Sequence, residues 1–299
     1  MTAAAGAPFR CGLVAVVGRP SVGKSTLVNR LVGHKISITS KKPQTTRHRI
    51  MGVLTEAERQ FIFVDTPGFQ TKHGGRLNER MNRTVIASLA DVDAVVLVVD
   101  AAKLTPADRD VVARIPAGCS VVVAVNKVDE LVDKRALLPR IAELASWRDF
   151  TALVPVSAEK DTAIDELKDT IAAALPEAPA LYDADTLTDR DERFLAAEMI
   201  REKIFRLLGD EVPYSTTVML EQFVQEPKLR RISAVVLCDK PGQRAILVGQ
   251  GGATMKAIAT QARRDMEALF GGKVFLEVFV RVRKNWAATD ASLSKLGYE

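Results

Sequence analysis

The sequence predicts an α/β protein: a doubly wound, mostly parallel sheet, followed by a second, smaller α+β domain. Three observations carry this. Short Val- and Ile-rich runs alternate with helical stretches through about residue 175. A stretch with two prolines and several acids then breaks the pattern. Beyond it the order changes to helix, strands, glycine-rich turn, helix and strand.

The apolar runs are Leu13–Gly18, Gln60–Asp65, Asp93–Asp100, Ser120–Asn126 and Ala152–Ser157. They are nearly continuous rather than alternating, as strands covered on both faces are. Helical stretches fall between them at Lys24–Leu31, Pro106–Ile115, Lys134–Ser146 and Ala163–Leu175. Residues 10–178 therefore form the first expected domain, 179–190 a linker, and 191–299 the second, with its core over about 210–288. In the second domain a helix is expected at Arg193–Leu208, capped by Asp189 or Asp191 and closed by Gly209. Strands follow at Ser215–Val224 and Arg231–Cys238, then a turn at Gly249–Gly252, a helix at Thr254–Phe270 and a strand at Val274–Val282. Gln243–Val248 reads as a strand by periodicity alone.

Composition excludes several classes. With 47% hydrophobic and 26% charged residues the 299-residue chain is neither disordered nor collagen-like. Three distant cysteines, Cys11, Cys119 and Cys238, give no disulfide framework and no metal spacing, and suit a reducing cytosol. No apolar run approaches the roughly 20 residues of a membrane span, and the first ten residues carry no secretory pattern. Charge is uneven: residues 181–226 carry 5 basic and 11 acidic side chains, residues 227–299 carry 13 and 6. A basic closing segment points to a polyanion. Aromatic content of 5% argues against an RNA-binding sheet built on stacked rings.

Gly18-Arg19-Pro20-Ser21-Val22-Gly23-Lys24-Ser25 fits the spacing G-x-x-x-x-G-K-[ST] between a strand and a helix opening at Thr26. Backbone N–H groups of such a loop cradle phosphate oxygens, and the helix N-terminus adds partial positive charge. Lys24 is placed to reach the β- and γ-phosphates and Ser25 to ligate Mg²⁺. Asp65-Thr66-Pro67-Gly68 ends a strand, where an acid can hold Mg²⁺ through water and Gly68 can offer its N–H to a γ-phosphate. Asn126-Lys127-Val128-Asp129 ends another. The Asp129 carboxylate can accept from both N1–H and the exocyclic amine of guanine, which adenine does not offer in that arrangement; this selects GTP over ATP.

The ordered set GRPSVGKST, DTPG, NKVD and Ser157-Ala158 resembles the translation-factor class of P-loop GTPases over about residues 10–178. By that resemblance Ser157, Ala158 and Glu159 pack against guanine, and the segment 37–49 is the first switch loop, in which Thr45 or Thr46 ligates Mg²⁺ and senses the γ-phosphate. Lys41, Lys42, Arg47 and Arg49 read as a solvated loop. Phe69 stands where regulatory GTPases place a water-orienting Gln, leaving His73 as the nearest acid–base residue. Relatives with an apolar residue there can recruit K⁺, usually with Asn where this chain has Ser21.

Val248-Gly249-Gln250-Gly251-Gly252 matches the G-x-x-G loop of a type II KH domain, which clamps four nucleotides. The KH pattern implies a short helix at Gln243–Val248. Candidate RNA contacts are Gly249, Gln250, Gly251, Gly252, Lys256, Arg263, Arg281, Arg283 and Lys284, with Lys240 and Arg244 beside them.

One GTPase domain followed by one KH domain resembles the Era family of bacterial ribosome-assembly GTPases. KISITSKKPQTTRHRI (35–50) and IREKIFRLLGDEVPYS (200–215) carry that likeness further. The resemblance implies a GTP/GDP switch with Mg²⁺ that binds the 3′ end of 16S rRNA and assists maturation of the small (30S) ribosomal subunit, with loose association at the inner face of the cell membrane; a cytoplasmic monomer is expected. Two rival readings are an RNA-binding assembly protein with an idle nucleotide site, and a regulatory GTPase whose C-terminal domain binds protein. With Phe69 in place of Gln, unassisted hydrolysis is expected on the order of 10⁻⁴ to 10⁻² s⁻¹. Steady-state phosphate release without any partner checks this, and a rate above about 1 s⁻¹ contradicts it.

Overall fold

The computed structural model describes residues 8–69, 76–209 and 211–298. His73, with the rest of the 70–75 segment, lies outside the described residues. Contacts divide the described chain into two compact units. The first holds the chain through residue 37, residues 48–69 and 81–189. The second holds residues 38–47, 76–80 and those from 190 onward.

The first unit is built on β1 (Arg10–Val17), α1 (Lys24–Val32), β2 (Ile50–Thr55) and β3 (Arg59–Asp65). Then come α2 (Arg76–Ala87), which begins in the second unit, β4 (Ala94–Asp100), α3 (Pro106–Val112), β5 (Ser120–Asn126), α4 (Leu137–Ala145), β6 (Ala152–Pro155) and α5 (Ile164–Ala173). The sheet order is β2-β3-β1-β4-β5-β6; β2 alone runs antiparallel. Every residue of β4 is buried, which is why its sequence shows no polar alternation. Two elements escape the sequence reading. β2 is a short run interrupted by Gly52, and in α2 the buried apolar residues are Met81 and Val85 alone.

The expected linker has no regular structure, yet its backbone is fixed. Val53 N donates to Leu187 O (2.9 Å) and Met51 N to Asp189 Oδ1 (2.9 Å), and just ahead of the linker Cys11 N donates to Pro176 O (3.2 Å). The Gln60 side chain accepts from Leu181 N and Tyr182 N and donates to Tyr182 O. β2 is an edge strand, and this segment occupies backbone groups that would otherwise stand open.

The second unit comprises α6 (Glu192–Leu207), β7 (Thr216–Glu226), β8 (Leu229–Cys238), α7 (Pro241–Val248), α8 (Ala253–Phe270), β9 (Lys273–Val282) and α9 (Asp290–Lys295). Asp191 caps α6, accepting from Phe194 N at 2.8 Å, whereas Asp189 serves β2. In the sheet β7-β8-β9, β8 runs antiparallel to β7 and parallel to β9. Ile200, Ile204, Ile232, Ala234, Val236, Leu247, Ile258, Ala262 and Met266 form its core. Gln243–Val248 is helical, as the KH pattern implies: Pro241 starts the helix, Gln243 Oε1 accepts from Lys240 N (2.9 Å), and Gly249 ends it. Leu247 is its one buried residue, so periodicity had no stripe to read. Among the described residues no helix is long and apolar enough to cross a membrane.

Candidate functional site

The loop from Gly18 to Gly23 joins the carboxyl end of β1 to α1. Gly23 has φ of 100°, and a Cβ there would lie 2.3 Å from Asn126 Nδ2, so glycine is required by backbone and by space. Lys24 is buried, and its Nζ donates to Gly18 O and Arg19 O, both at 3.1 Å. Burial pushes the Lys24 ammonium down to about 8, while the nearby Asp65 carboxylate works against that shift. A cation held this way against two carbonyls is poised to take an anion.

Arg19 reaches outward from the loop. Its Nε donates to Asp108 Oδ2 (3.2 Å) and its Nη2 to Lys103 O (3.2 Å). Asp108 also accepts from Thr105 N and Thr105 Oγ1, both at 2.8 Å, closing the first turn of α3. Thus the phosphate loop is braced against the segment after β4.

Asp65, fully buried, ends β3; Thr66 Oγ1 donates to Val16 O (2.8 Å), and Gly68 lies against Pro20. Phe69 is core, not a surface replacement for Gln: it packs with Val85, Leu89 and Val111, and the Arg114 guanidinium sits 4.1 Å from its ring centroid.

Asn126 connects three loops. Its Nδ2 donates to Val22 O (2.9 Å) and its Oδ1 accepts from Ala158 N (3.0 Å). Lys127, in the left-handed region with φ of 68°, donates through Nζ to Asp100 Oδ2 (2.9 Å). Asp129 and Glu159 are exposed at this rim. Ser157 is buried, and its Oγ accepts from Lys160 N at 3.0 Å.

Among the described residues, no three His, Cys, Asp or Glu side chains converge as a metal site. The donor set is one buried carboxylate, Asp65 at the end of β3, with the Ser25 hydroxyl on the phosphate-loop helix α1. Such hard, sparse oxygens suit Mg²⁺ that arrives with phosphate ligands of its own.

Thr45 and Thr46 belong to the second unit and are buried. Thr45 Oγ1 donates to Lys42 O (2.7 Å) and lies 2.7 Å from Ser40 Oγ. The expectation of a solvated basic loop is corrected here. Arg47 is 3% exposed and donates to Thr216 O (2.8 Å), Pro213 O (3.1 Å) and Tyr298 Oη (3.3 Å). Burial pushes its guanidinium below the usual arginine value. Lys42 donates to Leu208 O and Gly209 O, and Lys41 is exposed.

In the second unit α7 runs into a tight turn, Gln250–Gly252, with Gly251 and Gly252 at φ of 56° and 80°, and then α8. Gly249 has φ of 71° and a Cβ there would strike Thr254 Oγ1 at 2.2 Å. Lys256, Arg283 and Lys284 are exposed, as are Lys240 and Arg244. Arg263 pairs with Glu267 (2.8 Å) and Arg281 with Glu221 (2.5 Å). Glu198, Arg201, Glu202 and Lys203 are four buried charges on α6 to which sequence reasoning gave no role, although the last three lie in the 200–215 run.

Comparison with known proteins agrees with this layout. Residues 13–127 match the family described as 50S ribosome-binding GTPase, and residues 211–287 match the KH domain family. GTPase Era of Nitrosomonas eutropha is 49% identical over 291 residues, covering 97% of this chain and 98% of the relative. GTPase Era of Bordetella petrii is 51% identical over 292 residues, covering 98% and 99%. Aquifex aeolicus Era bound to GDP·AlF₄⁻ superposes with a TM-score of 0.93 at 35% identity, covering 97% of this chain and 99% of that one. The same figures hold for Era in complex with MgGDPNP and nucleotides 1506–1542 of 16S ribosomal RNA.

Asn126→Ala would leave Val22 O and Ala158 N without their partner in a buried place. A loss of about 1–3 kcal/mol is expected, measured by urea unfolding; an unchanged midpoint would contradict the bridging role.

Proposed function

This chain belongs to the Era family of GTPases, and from that premise we propose a GTP-dependent switch that binds the 3′ end of small-subunit ribosomal RNA through residues 249–284 and assists maturation of the 30S subunit. The observation behind it is the pairing, in one chain, of a lysine-filled phosphate loop with a left-handed glycine turn leading into α8. A relative with this layout over 97% of the chain holds both MgGDPNP and a 16S rRNA segment.

In this reading the N–H groups of residues 18–25 bind the phosphates, and Lys24 leaves Gly18 O and Arg19 O for the β- and γ-oxygens. Asp129 reads the guanine edge, while Ser157 and Ala158, fixed through Asn126, close the base pocket. Ser25 and Asp65 would hold Mg²⁺, joined by Thr45 or Thr46; the ion neutralises phosphate charge. Phe69 cannot polarise water, so hydrolysis stays slow until a partner assists. The first switch loop, ordered by the γ-phosphate, favours the RNA-binding state, and RNA strengthens GTP binding by the same factor.

The direct test is binding of a fluorescent 3′-end RNA with GTP analogue, GDP or no nucleotide, at two salt concentrations, against scrambled RNA. Tighter sequence-dependent binding with the analogue, and faster GTP turnover with RNA, are expected. Nucleotide-independent binding would favour an idle site. Weak binding that vanishes alike for both RNAs as salt rises would favour a protein partner for the C-terminal domain.

Lys24 gives a pH signature. With its ammonium at about 8 before nucleotide arrives, phosphate must raise that value, so binding takes up a proton above about pH 8. GDP affinity should fall as pH rises through that region, by at most about tenfold per pH unit. Calorimetry in buffers of different ionisation enthalpy should show proton uptake near pH 8.5 that disappears in Lys24→Arg.

A further inference from the structure

The segment 38–47 is gripped along its length by one face of α6. Glu202 Oε1 accepts from Thr39 N (3.0 Å), and Arg206 donates to Thr39 O (2.9 Å) and Thr39 Oγ1 (2.7 Å). Arg201 Nη2 donates to Thr45 O while Arg201 Nε donates to Glu198 Oε1 (2.7 Å). Positions 198, 201, 202, 205 and 206 share a helical stripe by their spacing of three and four. The Phe205 ring lies under both guanidiniums, at 5.5 Å from Arg47 and 5.4 Å from Arg201. Arg201 is 1% exposed. A buried guanidinium is costly unless its charge and its donors are satisfied. Glu198 supplies the charge and Thr45 O takes a remaining donor, so the loop carbonyl is held by a charge-assisted bond.

The grip continues into the RNA-binding element. Lys203 Nζ bonds Glu202 Oε2 (2.9 Å) and Asp265 Oδ2 (2.5 Å). Asp265 lies on α8, the helix that opens at Gly252. Glu202 thus touches the first switch loop with one oxygen and, through Lys203, α8 with the other.

We propose that α6 positions the first switch loop for GTP hydrolysis through Arg201 and Glu202, and that the Lys203–Asp265 pair makes this helix the route by which RNA at the glycine loop acts on hydrolysis. The proposal rests on the reading above, in which Thr45 or Thr46 senses the γ-phosphate and the glycine loop binds RNA. Arg201, Glu202 and Lys203 are positioning residues, since each acts through another group.

The test uses the full chain. In Glu198→Leu/Arg201→Met the buried pair is replaced by apolar groups, a change that buried pairs often tolerate. GDP affinity should stay within about twofold of the parent, while GTP-analogue affinity falls about tenfold, the worth of one hydrogen bond from a charged donor. Should that variant unfold, Arg201→Lys, which keeps the charge but cannot span both Glu198 and Thr45 O, should lower the analogue-to-GDP ratio about threefold. Asp265→Asn should leave unassisted hydrolysis and RNA affinity unchanged and lower RNA stimulation severalfold. An unchanged or increased analogue-to-GDP ratio in a folded Arg201 variant overturns the positioning role. Full RNA stimulation in Asp265→Asn overturns the route. If the parent protein itself shows no RNA stimulation, the underlying RNA-switch reading fails, and the route falls with it. The nucleotide ratio still judges the grip.

Discussion

The side-chain amide of Asn126 is the contact on which the nucleotide site depends. Parallel strands end in loops that have no partner strand to order them, so loops after β1, β5 and β6 would each wander. One buried carboxamide ties two of them to the third, donating to Val22 O and accepting from Ala158 N. It uses both ends of a group that is costly to bury with either end unmet. Gly23 is a consequence, because a methyl group there would occupy the place of the amide. The loops proposed to hold phosphate and base are therefore tied together by one hydrogen-bonded joint.

Buried positive charge follows two different rules in this chain. Lys24 donates only to carbonyl oxygens, and burial weakens its ammonium despite the nearby Asp65 carboxylate, which suits the anion-binding role proposed for it. Arg201 and Lys203 have their own carboxylates, Glu198, Glu202 and Asp265, and are committed to structure. The contrast separates a binding cation from a positioning one more sharply than burial does, since all three are buried. Arg47 belongs with the second group by its fixed partners, although these are carbonyls and a phenol rather than carboxylates.

What the sequence revealed divides along the same line. β1, β3, β4 and β5 were legible because strands covered on both faces need unbroken apolar runs, and the phosphate loop because its glycines are demanded by geometry. Asp65, Asn126 and Lys127 were legible by their place at strand ends. Arg47 was misread, because a basic residue in a loop carries no local sign that its partners lie at 213, 216 and 298. The charges of α6 were silent for a related reason: a helix buried on most of its circumference loses the stripe that periodicity detects. Fixation of residues 176–189 along the sheet was illegible too, since most of the donors and acceptors are backbone, which any sequence supplies.

The basic face of the second unit shows where nucleic-acid specificity must reside. Arg263 and Arg281 already hold Glu267 and Glu221, and Arg281 is well exposed. A phosphate that takes Arg281 must displace Glu221, exchanging one screened surface pair for another, with little net gain. Lys256, Arg283 and Lys284 add attraction that depends on salt and is blind to sequence. Gly251 and Gly252, with open space where a side chain would stand, instead keep a bare backbone at the head of α8. A backbone without side chains lets another chain approach closely there. In the proposed function the charges would bring a polyanion to this face, and the glycine turn would select which nucleotides stay.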